Sequence, residues 1–453
     1  MNEHIRIGDT VRLTIRRLGI NGEGIGYDQK MAIFVDYALP NEVVDVEITK
    51  VYYNRALASI KKIIRESKER TEPFCPVFGR CGGCQVQHLT YERMLVEKRD
   101  ILLQALKRYV YPTIDPVTVG ETIPSPLSKN YRNKASLPVM RIDGKNVFGM
   151  YAKGSNDFVR IESCPVQYER VNELLRTLTK LMDKHRVPAL DSKKRGTVKS
   201  LVIRYSKRSG QAQVTFVVTR RDSRLAALVS ELIAREKDVV SVFSIIKGDQ
   251  RRHGFQSDDV ELLYGEESII ESLDHFEFQL RPESFFQLNT EQASHFYRTM
   301  RKMAGLEAYE IAIDAYAGLA PVSHYIAGDA KQIYAIEIDP VACTYAKKSL
   351  LDNRISNVRM IQGDFKKALS GLRKMSVDVT FFDPPRTGLG KETIDLIKRV
   401  TPQRIVYGSC NPSTLAKDIN LLQQQYDLVE VVPLDMFPYT SLVESVSLLV
   451  HRA

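Results

Sequence analysis

Residues 310–339 read EIAIDAYAGLAPVSHYIAGDAKQIYAIEID. Two short apolar runs, each closing on Asp or Gly, flank a segment whose Pro321 suits the first turn of a helix. The figure recurs downstream in NVRMIQGD (357–364), VDVTFFDPP (377–385) and RIVYGSC (404–410), with helical stretches PVACTYAKKSLLDN (340–353) and KETIDLIKRV (391–400) between them. Strand and helix in alternation imply a doubly wound parallel sheet. Ligands bind at the carboxyl ends of such strands. The polar residues there are Asp314, Glu337, Asp364, Asp383 and Cys410, and they are expected to converge on one crevice.

This pattern begins near residue 280 of a 453-residue chain, so more than one domain is expected. Residues 1–65 alternate apolar and polar positions, as in DTVRLTIRRLG and NEVVDVEITKV, with INGEGIGYD read as a turn. Short strands at this spacing suggest an OB-like β-barrel, either a single-strand nucleic-acid binder or a structural module. Residues 66–280 read as a mixed α+β domain. A helical run covers TYERMLVEKRDILLQALKRY (90–109), a hairpin turns at Ser209 and Gly210, and SRLAALVSELIAREK (223–237) is an amphipathic helix. Residues 281–453 form the α/β domain.

Hydrophobic residues make up 43% and charged residues 26%, a globular composition. No apolar run approaches the ~20 residues of a membrane span, and MNEHIRIGDT lacks a signal-peptide core. A reducing cytoplasm and no membrane partner are therefore expected, and clustered cysteines there more often bind metal or react than form disulfides. The net charge of +10 tilts the partner toward polyanions. Lys129, Arg132, Lys134, Lys207 and Arg208 are candidates for an RNA-facing surface as well as for a solvated one.

The motifs carry more. An acid at the end of the second strand, here Glu337, is placed to bind ribose hydroxyls of a nucleotide cofactor. Asp-Pro-Pro after a strand (383–385) recurs in methyltransferases that act on planar bases. Amino-group methyltransferases usually place an aromatic residue next, and Arg386 argues against nitrogen methylation. In GSCNPSTLAKD (408–418) Cys410 lies between strand and helix, where helix N–H groups are expected to stabilise a thiolate. That position suits a nucleophile. FPYTSLVESV (437–446) supplies Glu444 as a possible general base.

The segments CPVFGRCGGCQ, YRNKA, ESCPVQ, FFQLNT, DPPRTGL, SCNPSTLAKD and VES together resemble the RNA 5-methyluridine (uracil-C5) methyltransferases, in the 23S rRNA subgroup with a TRAM domain and an iron–sulfur cluster. The resemblance covers nearly the whole chain. It implies a TRAM barrel, a central iron–sulfur domain and a Rossmann-like methyltransferase domain. It also implies Cys410 as nucleophile and Glu444 as base. Gln287, Tyr316, Glu337, Asp364 and Asp383 fall on S-adenosyl-L-methionine positions, and Cys75, Cys81, Cys84 and Cys164 on a [4Fe-4S] site. A grouped cysteine triplet plus one distant cysteine agrees with that cluster, with zinc as the other possibility. Cys343, in a helical stretch, reads as packing.

The implied partner is RNA, with rRNA favoured over tRNA, and a monomer is expected. A non-catalytic RNA-binding assembly factor is the competing reading, because DAYAGLAP (314–321) departs from the family's DxYCGxGT. Ala320 replaces a glycine and is expected to set a Cβ where the backbone approaches the cofactor. Pro321 removes an N–H, and Tyr439 replaces a usual His. A radical enzyme would need a C-x3-C-x2-C triplet, which is absent.

Overall fold

The structure is a computed structural model, and it describes residues 5–110, 118–246, 259–371 and 376–452. The chain divides into two compact units, one built from residues 1–125 with 383–453, the other from residues 126–382.

In the first unit, the N-terminal sheet runs in the order Thr10–Thr14, Val43–Tyr52, Arg55–Arg65, Met31–Val35, Gly24–Asp28, Arg17–Leu18. Arg16 N donates to the Ile25 carbonyl at 2.9 Å, which joins the first strand's continuation to the Gly24–Asp28 strand and curls the sheet into a barrel. Alternate residues Ile33, Val35, Val44, Val46 and Ile48 fill it. INGEGIGYD is not all turn: the turn stops by Glu23, and Gly24–Asp28 is a strand. A Cβ on Gly24 would lie 2.6 Å from the Ala38 carbonyl oxygen, so this glycine serves a close approach rather than a reversal. Buried Glu42 accepts from Arg70 Nε at 2.6 Å and Nη2 at 2.8 Å and from Leu39 N at 2.8 Å. Those bonds outweigh desolvation and hold its carboxyl below the usual range.

The same unit contains the helix Tyr91–Tyr109, which packs on the helix Pro412–Leu422. Its last strands are antiparallel: Glu444–His451 pairs with both Arg404–Ser409 and Tyr426–Leu434.

The second unit holds a seven-stranded sheet that includes the antiparallel pair Val198–Ser206 and Gln211–Val218, closed by Gly210 at φ +68°. The helix Arg224–Arg235 follows. Four parallel strands then lie in the order Val358–Gln362, Gln332–Glu337, Ile311–Ala315, Val379–Phe382. The helix Pro340–Asp352, capped by Asp339, separates two of them, as the alternation requires. Cys343 is buried in that helix.

Candidate active site

In the first unit, Cys410 follows the last residue of one strand and Glu444 opens the next. The ladder pairs Gly408 with Val446 and ends on Ser409 with Ser445, so Cys410 and Glu444 each adjoin its last pair. They are near enough for the Glu444 charge to act on the thiol. Glu444 is 5% exposed. Burial, reinforced by the charge of Asp383, pushes its carboxyl up to about 8, against the pull of Arg386 and Lys98. Desolvation lifts Asp383 to about 6. Burial and then the Glu444 and Asp383 charges push the Cys410 thiol up to about 11, while Arg386 acts in the opposite sense.

This corrects the expectation of a helix-stabilised thiolate. The helix starts at Pro412, and its cap is Asn411, whose side chain accepts from Ser413 N at 3.0 Å. Cys410 precedes the cap, and burial followed by two carboxyl charges outweighs what favours its thiolate. The cation that favours the thiolate is Arg386. The Arg386 carbonyl accepts from Asn411 Nδ2 at 3.2 Å and from Thr414 Oγ1 at 3.3 Å, and Asp418 accepts from Leu389 N at 2.8 Å, which fixes the loop.

In the second unit, Glu337 ends its strand with Oε2 accepting from Gly318 N and Oε1 from Asp339 N, both at 2.8 Å. A carboxylate has about four lone-pair sites, so two remain for ribose hydroxyls. Tyr316, at φ +60°, stacks on Phe365 with ring centroids 5.7 Å apart. These residues fit an adenosine-bearing cofactor. Asp364 accepts from Lys367 N at 3.2 Å and caps a helix. Gln287 is held by Asn133, whose Nδ2 donates to the Gln287 carbonyl at 2.9 Å, so YRNKA and FFQLNT meet. Ala320 has φ +61° and lies in a buried cluster with Ala317, Ala335 and Ala346. Its Cβ packs among those buried alanines.

Cys75, Cys81 and Cys84 are half-buried in a turn-rich loop of the first unit. Gly83 N donates to Cys81 Sγ at 3.4 Å, and Cys75 is close enough for its charge to raise Cys81. Such N–H···S contacts suit thiolates that carry charge. Among the described residues, however, no three His, Cys, Asp or Glu side chains are gathered so that they could hold a metal ion as they stand. Cys164 belongs to the second unit, where its N donates to Asn172 Oδ1 at 2.9 Å. After the triplet, Gln85 N and Val86 N both donate to the Tyr439 carbonyl, at 3.2 and 3.1 Å, five residues before Glu444. Phe74 meets the Tyr439 ring edge to face, with centroids 4.8 Å apart.

Sequence reasoning did not single out Phe365, Lys98 or a role for Arg386 beside the thiol. Arg386 had a signal in its position directly after Asp-Pro-Pro.

A parallel strand set with an acid closing its second strand, a barrel at the N-terminus and a thiol near a carboxyl define an RNA-modifying methyltransferase. The chain belongs to the tRNA (uracil-5-)-methyltransferase family, whose model matches residues 90–452, and it carries a TRAM domain over residues 6–61. It is 38% identical over its whole length to an uncharacterized RNA methyltransferase of Halalkalibacterium halodurans, covering 98% of that protein. A relative with the same description in Bacillus cereus is 35% identical over 99% of this chain and 98% of its own. Among solved structures, the Pyrococcus abyssi tRNA (uracil-54, C5)-methyltransferase in complex with S-adenosyl-L-homocysteine matches 97% of this chain and 100% of its own, at 27% identity and a TM-score of 0.74. No helix among the described residues is long and apolar enough to cross a membrane.

Proposed function

We propose that the protein methylates C5 of a uridine in structured RNA through a covalent bond from Cys410 to C6 of the base. The observation that supports this is the nearness of Cys410 and Glu444 at the end of one ladder. C5 of uracil is a poor nucleophile. Addition of the Cys410 thiolate to C6 forms the S–C6 bond and sends the C5=C6 pair into an enolate. C5 then takes the methyl group that S-adenosyl-L-methionine supplies as an electrophile, the bonding pair staying on the departing sulfur. The Glu444 carboxylate removes the C5 proton, the C5=C6 bond re-forms, and the S–C6 bond breaks to return the thiolate. Arg386 offsets charge on the thiolate before addition and after release. The uridine must leave its stack to reach Cys410.

In this reading Gln287, Tyr316, Glu337, Asp364 and Asp383 serve the cofactor side. Cys75, Cys81, Cys84 and Cys164 hold a [4Fe-4S] cluster that braces the RNA-binding region and takes no part in the chemistry. The substrate is 23S rRNA, a reading that rests on the resemblance to the cluster-bearing subgroup. The likeness to a tRNA enzyme supports tRNA as the second reading. The working compartment is the cytoplasm.

The test is incubation with labelled S-adenosyl-L-methionine and total RNA from a strain lacking the enzyme, followed by mapping of the methylated base. Label in 23S rRNA at uridine C5 supports the proposal, and label confined to tRNA selects the second reading. RNA binding without label would favour the assembly factor, to which the altered GLAP loop points.

A further inference from the structure

Lys98 stands in the middle of the helix Tyr91–Tyr109 and is 1% exposed. An ammonium in such a place is costly unless its donors are satisfied, and here they are. Nζ donates to Asp435 Oδ1 at 2.5 Å, to the Leu442 carbonyl at 2.8 Å and to the Phe437 carbonyl at 3.0 Å. All three acceptors lie in residues 435–442, the segment that runs into Glu444. Tyr439 N donates to Met94 Sδ at 3.1 Å, one helical turn before Lys98, so the same helix grips the segment twice. Asp435 is fully buried, and Tyr91 of the helix lies against it.

We infer that Lys98 is a positioning residue for Glu444: it fixes the segment that delivers the carboxyl and supplies a positive charge to it from the N-terminal side of the chain. The inference rests on the proposed role of Glu444 as the base. The other charged or titratable groups that bear on Glu444 are Asp383 and Arg386, with the Cys410 thiol near it. Asp383 opposes ionisation of Glu444, and Arg386 and Lys98 favour it. Lys98 is the one of these set in a helix, and it makes no contact that the chemistry itself needs. Loss of its charge leaves Glu444 harder to ionise, so proton removal from C5 slows while addition of Cys410 and methyl transfer continue.

The test compares wild type, Lys98→Met, Lys98→Arg and Glu444→Gln, each as the full chain with RNA and labelled S-adenosyl-L-methionine. The amount of covalent RNA–protein adduct and the pH profile of turnover are read. For Lys98→Met the expected result is at least tenfold slower turnover at neutral pH, accumulation of methylated adduct, and a profile displaced to higher pH. Lys98→Arg keeps the charge and is expected to restore the profile in part. Should Lys98→Met not fold, the same readings on Lys98→Met with Asp435→Leu, where no charge is left buried alone, decide the matter. Adduct in Glu444→Gln, together with a wild-type profile and no adduct in the Lys98 variants, overturns the role of Lys98 alone. Normal turnover by Glu444→Gln overturns the base itself.

Discussion

Cys410 and Glu444 adjoin the last pair, Ser409 with Ser445, of one antiparallel ladder, and the Glu444 charge acts on the thiol. Their sequence separation is bridged by a single ladder, so the thiol and the carboxyl keep their spacing as long as that ladder holds. The Glu444 charge raises the barrier to ionising the thiol, Arg386 favours ionisation of both groups, and Lys98 favours that of Glu444.

Cys410→Ala is expected to abolish methyl transfer. Glu444→Gln is expected to form methylated adduct and fail to release it, because the base acts after the thiolate has added. A denaturing gel with labelled RNA reads both. Normal turnover by Glu444→Gln would remove it from the mechanism.

The raised carboxyls set the pH response. Addition needs the Cys410 thiolate and release needs ionised Glu444, so turnover should climb through the neutral range and go on rising above 8, toward about 11. Stability runs the other way. Glu444 holds its proton up to about 8 when folded but only to about 4.5 when unfolded, so the folded state binds more protons between those values. Stability is therefore full below about 4.5 and falls as pH rises through 8, by at most a few kcal/mol. Asp383 adds the same trend between 3.8 and about 6. Melting curves across this window should show the decline in wild type and a flatter one in Glu444→Gln. Equal slopes would mean that Glu444 is solvated.

Ala320 holds φ +61°, where a Cβ costs about 1–2 kcal/mol. Ala320→Gly relieves that strain but loses a buried methyl, roughly 0.8 kcal/mol, and backbone order, roughly 0.5–1 kcal/mol. The melting temperature should therefore change by only a few degrees, and calorimetric affinity for S-adenosyl-L-methionine should stay near wild type. Pro321→Thr restores an N–H and is expected to tighten binding about two- to tenfold. A larger gain from Ala320→Gly than from Pro321→Thr would show that residue 320 contacts the cofactor.

Purified protein is expected to be brown, with iron and sulfide at about four per chain. Because Gln85 and Val86 donate to the Tyr439 carbonyl, Cys81→Ser should slow turnover as well as weaken RNA binding. Stoichiometric zinc without iron in anaerobic preparations would refute the cluster. Unchanged turnover in Cys81→Ser would uncouple the thiol loop from the base.

Much of this was legible in the residues. The strands Gln332–Glu337, Val379–Phe382 and Arg404–Ser409 end at or just before Glu337, Asp383 and Cys410, while Ile311–Ala315 runs one residue past Asp314. The Ser206–Gln211 hairpin follows from a glycine that can take positive φ. Gly24 misled, since a glycine that admits Ala38 looks the same in sequence as one that turns the chain. Lys98 was hidden for a different reason. A lysine in an amphipathic helix reads as solvated, and its acceptors lie more than 300 positions away, at a separation that no local pattern encodes. The direction of the Cys410 shift was equally out of reach, because it depends on which carboxyls the fold brings to the thiol.

The 337 positions between Lys98 and Asp435 also set a schedule. At ~5–20 residues per second of synthesis, the ribosome makes the lysine roughly 20–70 seconds before its counter-ion. Through that interval the helix Tyr91–Tyr109 has no acceptor for the ammonium it will bury, and the segment that presents Glu444 does not exist. The nascent chain can close its barrel early, but it cannot assemble this acid–base pair until residue 444 has been added.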